Sequence, residues 1–135
     1  MITNREVQIA LVTYLKTITG ITSLLANSGE IREDQWQGTD FLYPCIRVKT
    51  DSITPNKNPK CSLAGASFSV LCYSESKSSK EVETLVKAVH EQLHGKQFTK
   101  SGVRFVTLLT ESITPASRQE SGVWLAEVHF SAIVS

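Results

Sequence analysis

Apolar residues along this chain switch between two periods. Val7, Ala10, Leu11, Tyr14, Leu15 and Ile18 recur at helical spacing, which puts them on one face of a helix. Asn4 stands where a capping side chain would satisfy the first free amides. Glu6 adds negative charge to the first turn, and Gly20 is the expected stop. Ile21, Leu24 and Leu25 suggest another short turn, and residues 30–33 a short strand. After Pro44 the period falls to two. Cys45-Ile46-Arg47-Val48-Lys49-Thr50 alternates, and so do Ala66, Phe68, Val70 and Cys72. Residues 55–62 hold two prolines in a polar loop, so the two runs read as a hairpin with Ala64–Tyr73 as its return strand. Val82, Leu85, Val86, Val89 and Leu93 restore the helical period until Gly95. A second hairpin follows: Val103–Leu109, a polar turn around Ser117-Arg118-Gln119-Glu120, and Val123–Val134.

An acid followed by Ser-Ile-Thr-Pro occurs in both hairpins, as Asp51–Pro55 and Glu111–Pro115. The run after the second copy, Ala126, Val128, Phe130 and Ala132, alternates in the same phase as the run after the first. Each half therefore carries one long hairpin with similar shoulders. Helices with one apolar stripe and strands with one apolar face bury both by stacking. The pattern predicts an α+β fold in two layers, with a mostly antiparallel sheet, two long hairpins and two main helices packed on one face. At 135 residues, with 41% hydrophobic positions, the chain reads as a single domain over 1–135 with a core of its own.

Charge and cysteine content narrow the function. Fourteen basic and 13 acidic residues leave a net charge of +1, too little to hold duplex phosphates or a membrane surface. Cys45, Cys61 and Cys72 have neither disulfide-scaffold nor zinc-ribbon spacing, which points to a reducing cytosol. Cys45 and Cys72 read as core residues and Cys61 as a loop residue. The Met1–Glu6 start lacks the apolar core of a signal peptide.

One motif suggests chemistry. His90-Glu91-Gln92-Leu93-His94 matches H-E-x-x-H, the spacing by which a helix offers two zinc ligands and a general base. Its helical phase argues against that use. The histidines fall roughly 80–120° from the apolar stripe, and Glu91 falls opposite it. Gly95 ends the helix just after the second histidine. The expectation is two surface histidines, with no metal, no cofactor and no enzymatic activity. No glycine-rich phosphate loop and no G-x-S-x-G elbow is present. The remaining candidates are contact residues. Asn56, Lys57, Asn58 and Lys60 occupy one hairpin end, and Arg118, Gln119 and Glu120 the other. Trp36 and Phe41, in the loop-like stretch 34–43, either tuck beneath it or await a partner.

The order of these pieces resembles the tail-completion, or tail-terminator, proteins of long-tailed bacteriophages over nearly the full length. The resemblance rests on the first helix, Tyr43–Val48, Phe68–Ser74, the Ser-rich approach to the Val82–Leu93 helix, and a closing hairpin through Val128–Ala132. It implies a structural virion protein of the tail and neck, assembled in the host cytoplasm. The implied form is a homo-hexameric ring at the head-proximal end of the tail tube. Such a ring ends tube growth, joins the tail to a neck or connector protein, and leaves a channel through which DNA passes without sequence-specific binding. Two alternatives stand beside it: another ring component of a phage neck or tail, and a small zinc peptidase using His90, Glu91 and His94.

Overall fold

Thr3, rather than Asn4, caps the first helix: its hydroxyl accepts from the Glu6 amide at 3.2 Å and α1 spans Asn4–Leu15. The computed structural model describes residues 2–25, 27–34, 42–58 and 60–135, with Ser28 as backbone only. α1 stops before Gly20. The β-branched Thr17 turns its hydroxyl onto the Tyr14 carbonyl at 2.6 Å, which competes with continuation of the ladder. Gly20 instead lies inside a short helix, α2 (Thr19–Thr22). A 3-10 turn at Ser28–Glu30 leads into β1 (Ile31–Glu33).

Four strands of 11 residues make the body of the sheet: β2 (Cys45–Pro55), β3 (Ala64–Ser74), β5 (Val103–Ile113) and β7 (Trp124–Val134). β4 (Phe98–Lys100) and β6 (Ser117–Arg118) are short, and α3 spans Lys80–Leu93 between β3 and β4. The order is β1-β2-β3-β7-β5-β4, with β6 on β7. Among the described residues, only the β1–β2 pair is parallel. The fold is thus α+β, as the periodicities predict. Phe68, Val70, Val128 and Phe130 from the sheet join Leu11, Leu15, Leu85 and Val89 from the helices in one buried core.

The repeated pentapeptide has a repeated structure. Thr50 pairs with Phe68, Asp51 is skipped, and Ser52 pairs with Ser67. Thr110 pairs with Phe130, Glu111 is skipped, and Ser112 pairs with His129. Each acid therefore sits at a register break. Each also accepts a hydrogen bond from a serine on the neighbouring central strand, Asp51 from Ser69 and Glu111 from Ser131. The central strands pair antiparallel, with Phe68 opposite Phe130. A half-turn through that pair superposes the register of one hairpin on that of the other. The two hairpin ends consequently lie at opposite ends of the sheet.

The helices depart from this symmetry. α3 lies over β3, β7 and β5, whereas α1 touches β1 and β2 on one side and β4 and β5 on the other. The sheet curls so that α1 bridges its two outer edges, with Tyr14 stacked on Phe98 of β4 at a centroid distance of 3.6 Å. α2 packs on α3, where a Cβ on Gly20 would come within 3.1 Å of the Gln92 amide nitrogen.

β4 is absent from the periodic pattern because three residues are too few to show a period. Its turn is nevertheless a hairpin turn, with Ser101 and Gly102 both at positive φ (50° and 79°). A further positive φ outside glycine, 54° at the exposed Thr107, marks a bulge in β5 between Val106 and Leu109. Strict alternation from Val103 would bury Leu109. The bulge buries Leu108 instead and leaves Leu109 41% exposed.

Candidate functional site

The first hairpin end is built from asparagines that fold the backbone onto themselves. Asn56 Oδ1 accepts from the Asn58 amide at 2.8 Å, and Asn58 Oδ1 from the Lys60 amide at 3.0 Å. These side-chain turns replace ladder bonds where strand pairing ends. Asn56, Lys57, Asn58 and Lys60 are all exposed. At the opposite end of the sheet, β6 folds back on β7, and the turn closes by Gln119 N–H to the Val123 carbonyl at 2.8 Å. Arg118, Gln119 and Glu120 are likewise exposed. The sequence candidates thus form two separate polar tips. Trp36 and Phe41 lie outside the described residues. The chain on either side of them is anchored: Asp34 N–H donates to the Val48 carbonyl, and Leu42 N–H to the buried Glu30 carboxylate.

The H-E-x-x-H histidines stack on each other at the end of α3, with ring centroids 5.1 Å apart. Both address Thr110. His90 Nδ1 lies 2.8 Å from its hydroxyl, and His94 Nδ1 accepts from its backbone amide at 3.0 Å. An amide can only donate, so His94 Nδ1 offers its lone pair to Thr110, and in the neutral ring the proton sits on Nε2. Neither nitrogen of that tautomer is open to a metal. Glu91 points to solvent, 4.0 Å from Lys87. Among the described residues, no group of three or more His, Cys, Asp or Glu side chains gathers in metal-binding range. Elemental analysis of protein purified without chelator should find zinc far below one atom per chain. A one-to-one content that is lost in His94→Ala would restore the peptidase reading.

A serine, a histidine and an aspartate do meet on the face of the sheet away from the core. Ser69 Oγ donates to Asp51 Oδ2 at 2.7 Å and meets His129 Nδ1 at 2.8 Å. No sequence spacing announces this group, because its members meet only through strand pairing. In a hydrolytic triad the histidine stands between acid and nucleophile. Here the serine stands between them and is 2% exposed. With the hydroxyl proton directed at Asp51 and the serine buried between its partners, the group fastens the bulge at Asp51.

The cysteines sort as their surroundings predict. Burial, opposed in part by nearby Arg47, pushes the Cys45 thiol up to about 11. Burial raises Cys72 further, with the neighbouring Cys45 adding to it. Neither is a thiolate near neutral pH. Cys61, partly exposed in the first hairpin loop, is the accessible thiol among the three.

Among the described residues, these features make up a scaffold with two polar tips. Among solved structures, a chain from the "virion of native gene transfer agent (GTA) particle" superposes with a TM-score of 0.70 at 18% identity, covering 94% of this chain and 92% of its own. A second solved chain, which carries no functional description, superposes at 0.66 with 10% identity, covering 100% of this chain and 97% of its own. At these identities both likenesses establish the fold alone. No curated protein matches. The family profile described as "Tail completion protein gp17" matches residues 9–135. Over nearly its whole length, then, the chain belongs to the tail completion protein gp17 family, and it is a structural protein of a phage tail rather than an enzyme.

Proposed function

We propose that this protein assembles as a ring at the head-proximal end of the tail tube, where it ends tube polymerisation and joins the tail to the neck. The carrying observation, beside family membership, is the placement of the two polar tips at opposite ends of one sheet. A terminating ring needs two axial surfaces, one for the tube and one for the neck. With the strands along the ring axis, the Asn56–Lys60 tip serves one surface and the Arg118–Glu120 tip the other. The near-neutral charge, +1 per chain, suits a channel that DNA traverses without being held. A hexamer is the ring size that the family resemblance implies.

The test is omission. Tails assembled without this chain should contain tubes of uncontrolled length and should fail to join heads, and adding the purified protein should restore both. Tubes of normal length that still join heads would assign the termination role elsewhere in the tail.

A further inference from the structure

We propose that the end of the sheet bearing the first hairpin tip is a cationic docking surface for an acidic rim of a neighbouring virion protein. This rests on the ring reading above and names the chemistry of one of its two axial joints.

The net charge of +1 hides a separation of charge along the strands. No Asp or Glu occurs from Ser52 to Ser74, from Gln92 to Thr110, or from Val128 to Ser135. Strand pairing brings these three runs to one end of the sheet. Pro55 lies opposite Ala64, Ala64 opposite Val134, Val134 opposite Phe105, and Val103 opposite Lys100. Lys57 and Lys60 stand there in the first tip, and Lys100 and Arg104 flank the β4–β5 turn. The start of α1 reaches the same end, where Thr50 Oγ1 donates to the Asn4 carbonyl at 3.2 Å and Glu6 shares a cavity with Lys60. It adds Arg5 and Glu6. Five cations thus meet one acid, Glu6, which accepts from Thr3 Oγ1 at 3.2 Å.

Arg5, Lys57, Lys60 and Arg104 are exposed and Lys100 is half-buried. None of the five is in an ion pair among the described residues. The acids next along the strands, Asp51 and Glu111, sit at the mid-sheet register breaks, each held by a serine. At the opposite end the signs are mixed: Lys80 precedes Glu81 and Glu83 on α3, and Arg118 and Glu120 share the second tip. Like charges gathered on one surface attract an anion. The cations flank the sheet from the β2–β3 loop to the β4–β5 turn, so the contact is broad and sensitive to salt.

Geometry favours a protein over nucleic acid as that anion. With strands along the ring axis, a duplex in the channel runs parallel to them and passes the uncovered face of the sheet. Apart from the buried Arg47, the middle of that face sets Lys49 against Asp51, Glu111 and Glu127. That surplus of acid repels phosphate. The cations stand at the strand ends instead, facing the next component along the axis. A second copy stacked in the same direction would present the mixed-charge end, a poorer complement than an acidic rim.

The test uses tails assembled without this chain. Purified protein is added in about 0.05 M and about 0.5 M NaCl. Capping is scored by tube length, and joining by head attachment on tubes saturated with protein. One of these two steps should weaken about tenfold or more at the higher salt. K57E/K60E and K100E/R104E should each weaken that same step by a similar factor at the lower salt and leave the other step intact. K16E/K87E, an equal charge change on the helices away from this end, should behave as wild type. Circular dichroism confirms the fold of each variant. Capping and joining at wild-type levels in both end variants would overturn the proposal. Retention of a duplex of about 30 base pairs by the wild type at about 0.15 M NaCl, lost in the end variants, would overturn it in favour of nucleic acid. Rods of stacked rings that dissolve in the end variants would overturn it in favour of a second copy. A wild-type chain that sits on tails as a monomer would overturn the ring reading, whatever the charge variants do.

Discussion

Phe130→Ala should lower the thermal unfolding midpoint by about 10–20 °C. The ring is 1% exposed and stacks on Phe68, itself fully buried, at a centroid distance of 5.2 Å. Phe130 stands on β7 in the middle of the sheet, paired on one side with Phe68 and on the other with Thr110. Strands on both sides prevent the backbone from collapsing into the space that the lost ring leaves. Truncating such a phenylalanine costs about 3–5 kcal/mol, and about 3–5 °C per kcal/mol is expected for a domain of this size. Thr99→Ala, at an exposed position on the short edge strand, is the control and should move the midpoint by about 1–2 °C at most. Equal shifts in the two variants would mean that the inward phase of β7 is wrong.

Replacing either hairpin end by a tight turn should leave the chain folded but stop it from completing tails. Of the residues removed, Asn56, Lys57, Asn58 and Lys60 at one end and Arg118, Gln119 and Glu120 at the other are exposed and lie outside the core. Apart from the short pairing of Arg118 with Trp124 of β7, their hydrogen bonds stay within each tip. Stability should therefore change by about 1 kcal/mol or less. The readout is the length distribution of tail tubes and the yield of joined particles, with circular dichroism as the check on folding. Since the tips lie at opposite ends, the two variants should fail differently. One should leave tubes uncapped, and the other should give capped tubes that do not join heads. A shortened variant that terminates and joins normally removes that tip from the assembly interface.

Much of this fold was legible because it repeats. The hairpins, the apolar stripe of α3 and the inward phase of Phe68 and Phe130 depend on short-range periodicity, which the sequence displays directly. The acid before Ser-Ile-Thr-Pro was visible too, but not its place at a register break, since that depends on which strand stands opposite. The Thr107 bulge was hidden for a related reason: a β-branched residue at positive φ is disfavoured, so nothing local announces it. The position of α1 follows from the curl of the sheet, a property of all the strands together. The polar tips were legible as exposed turns. The Thr110 contacts that occupy His90 and His94 were not, because 16 and 20 residues separate the partners.

The half-turn that relates the two hairpins reaches beyond one subunit. It runs perpendicular to the sheet, so a ring built with strands along its axis and sheet faces turned toward that axis would inherit approximate dihedral symmetry in its sheets, though not in its helices. Its upper and lower rims would be the same architectural unit seen from opposite sides. The rims differ in sequence, asparagine and lysine on one and arginine, glutamine and glutamate on the other, and in the added β6 strand that folds back on β7 at the second tip. A repeated hairpin can thereby give a small protein polarity, with two unlike neighbours met by two versions of one strand arrangement.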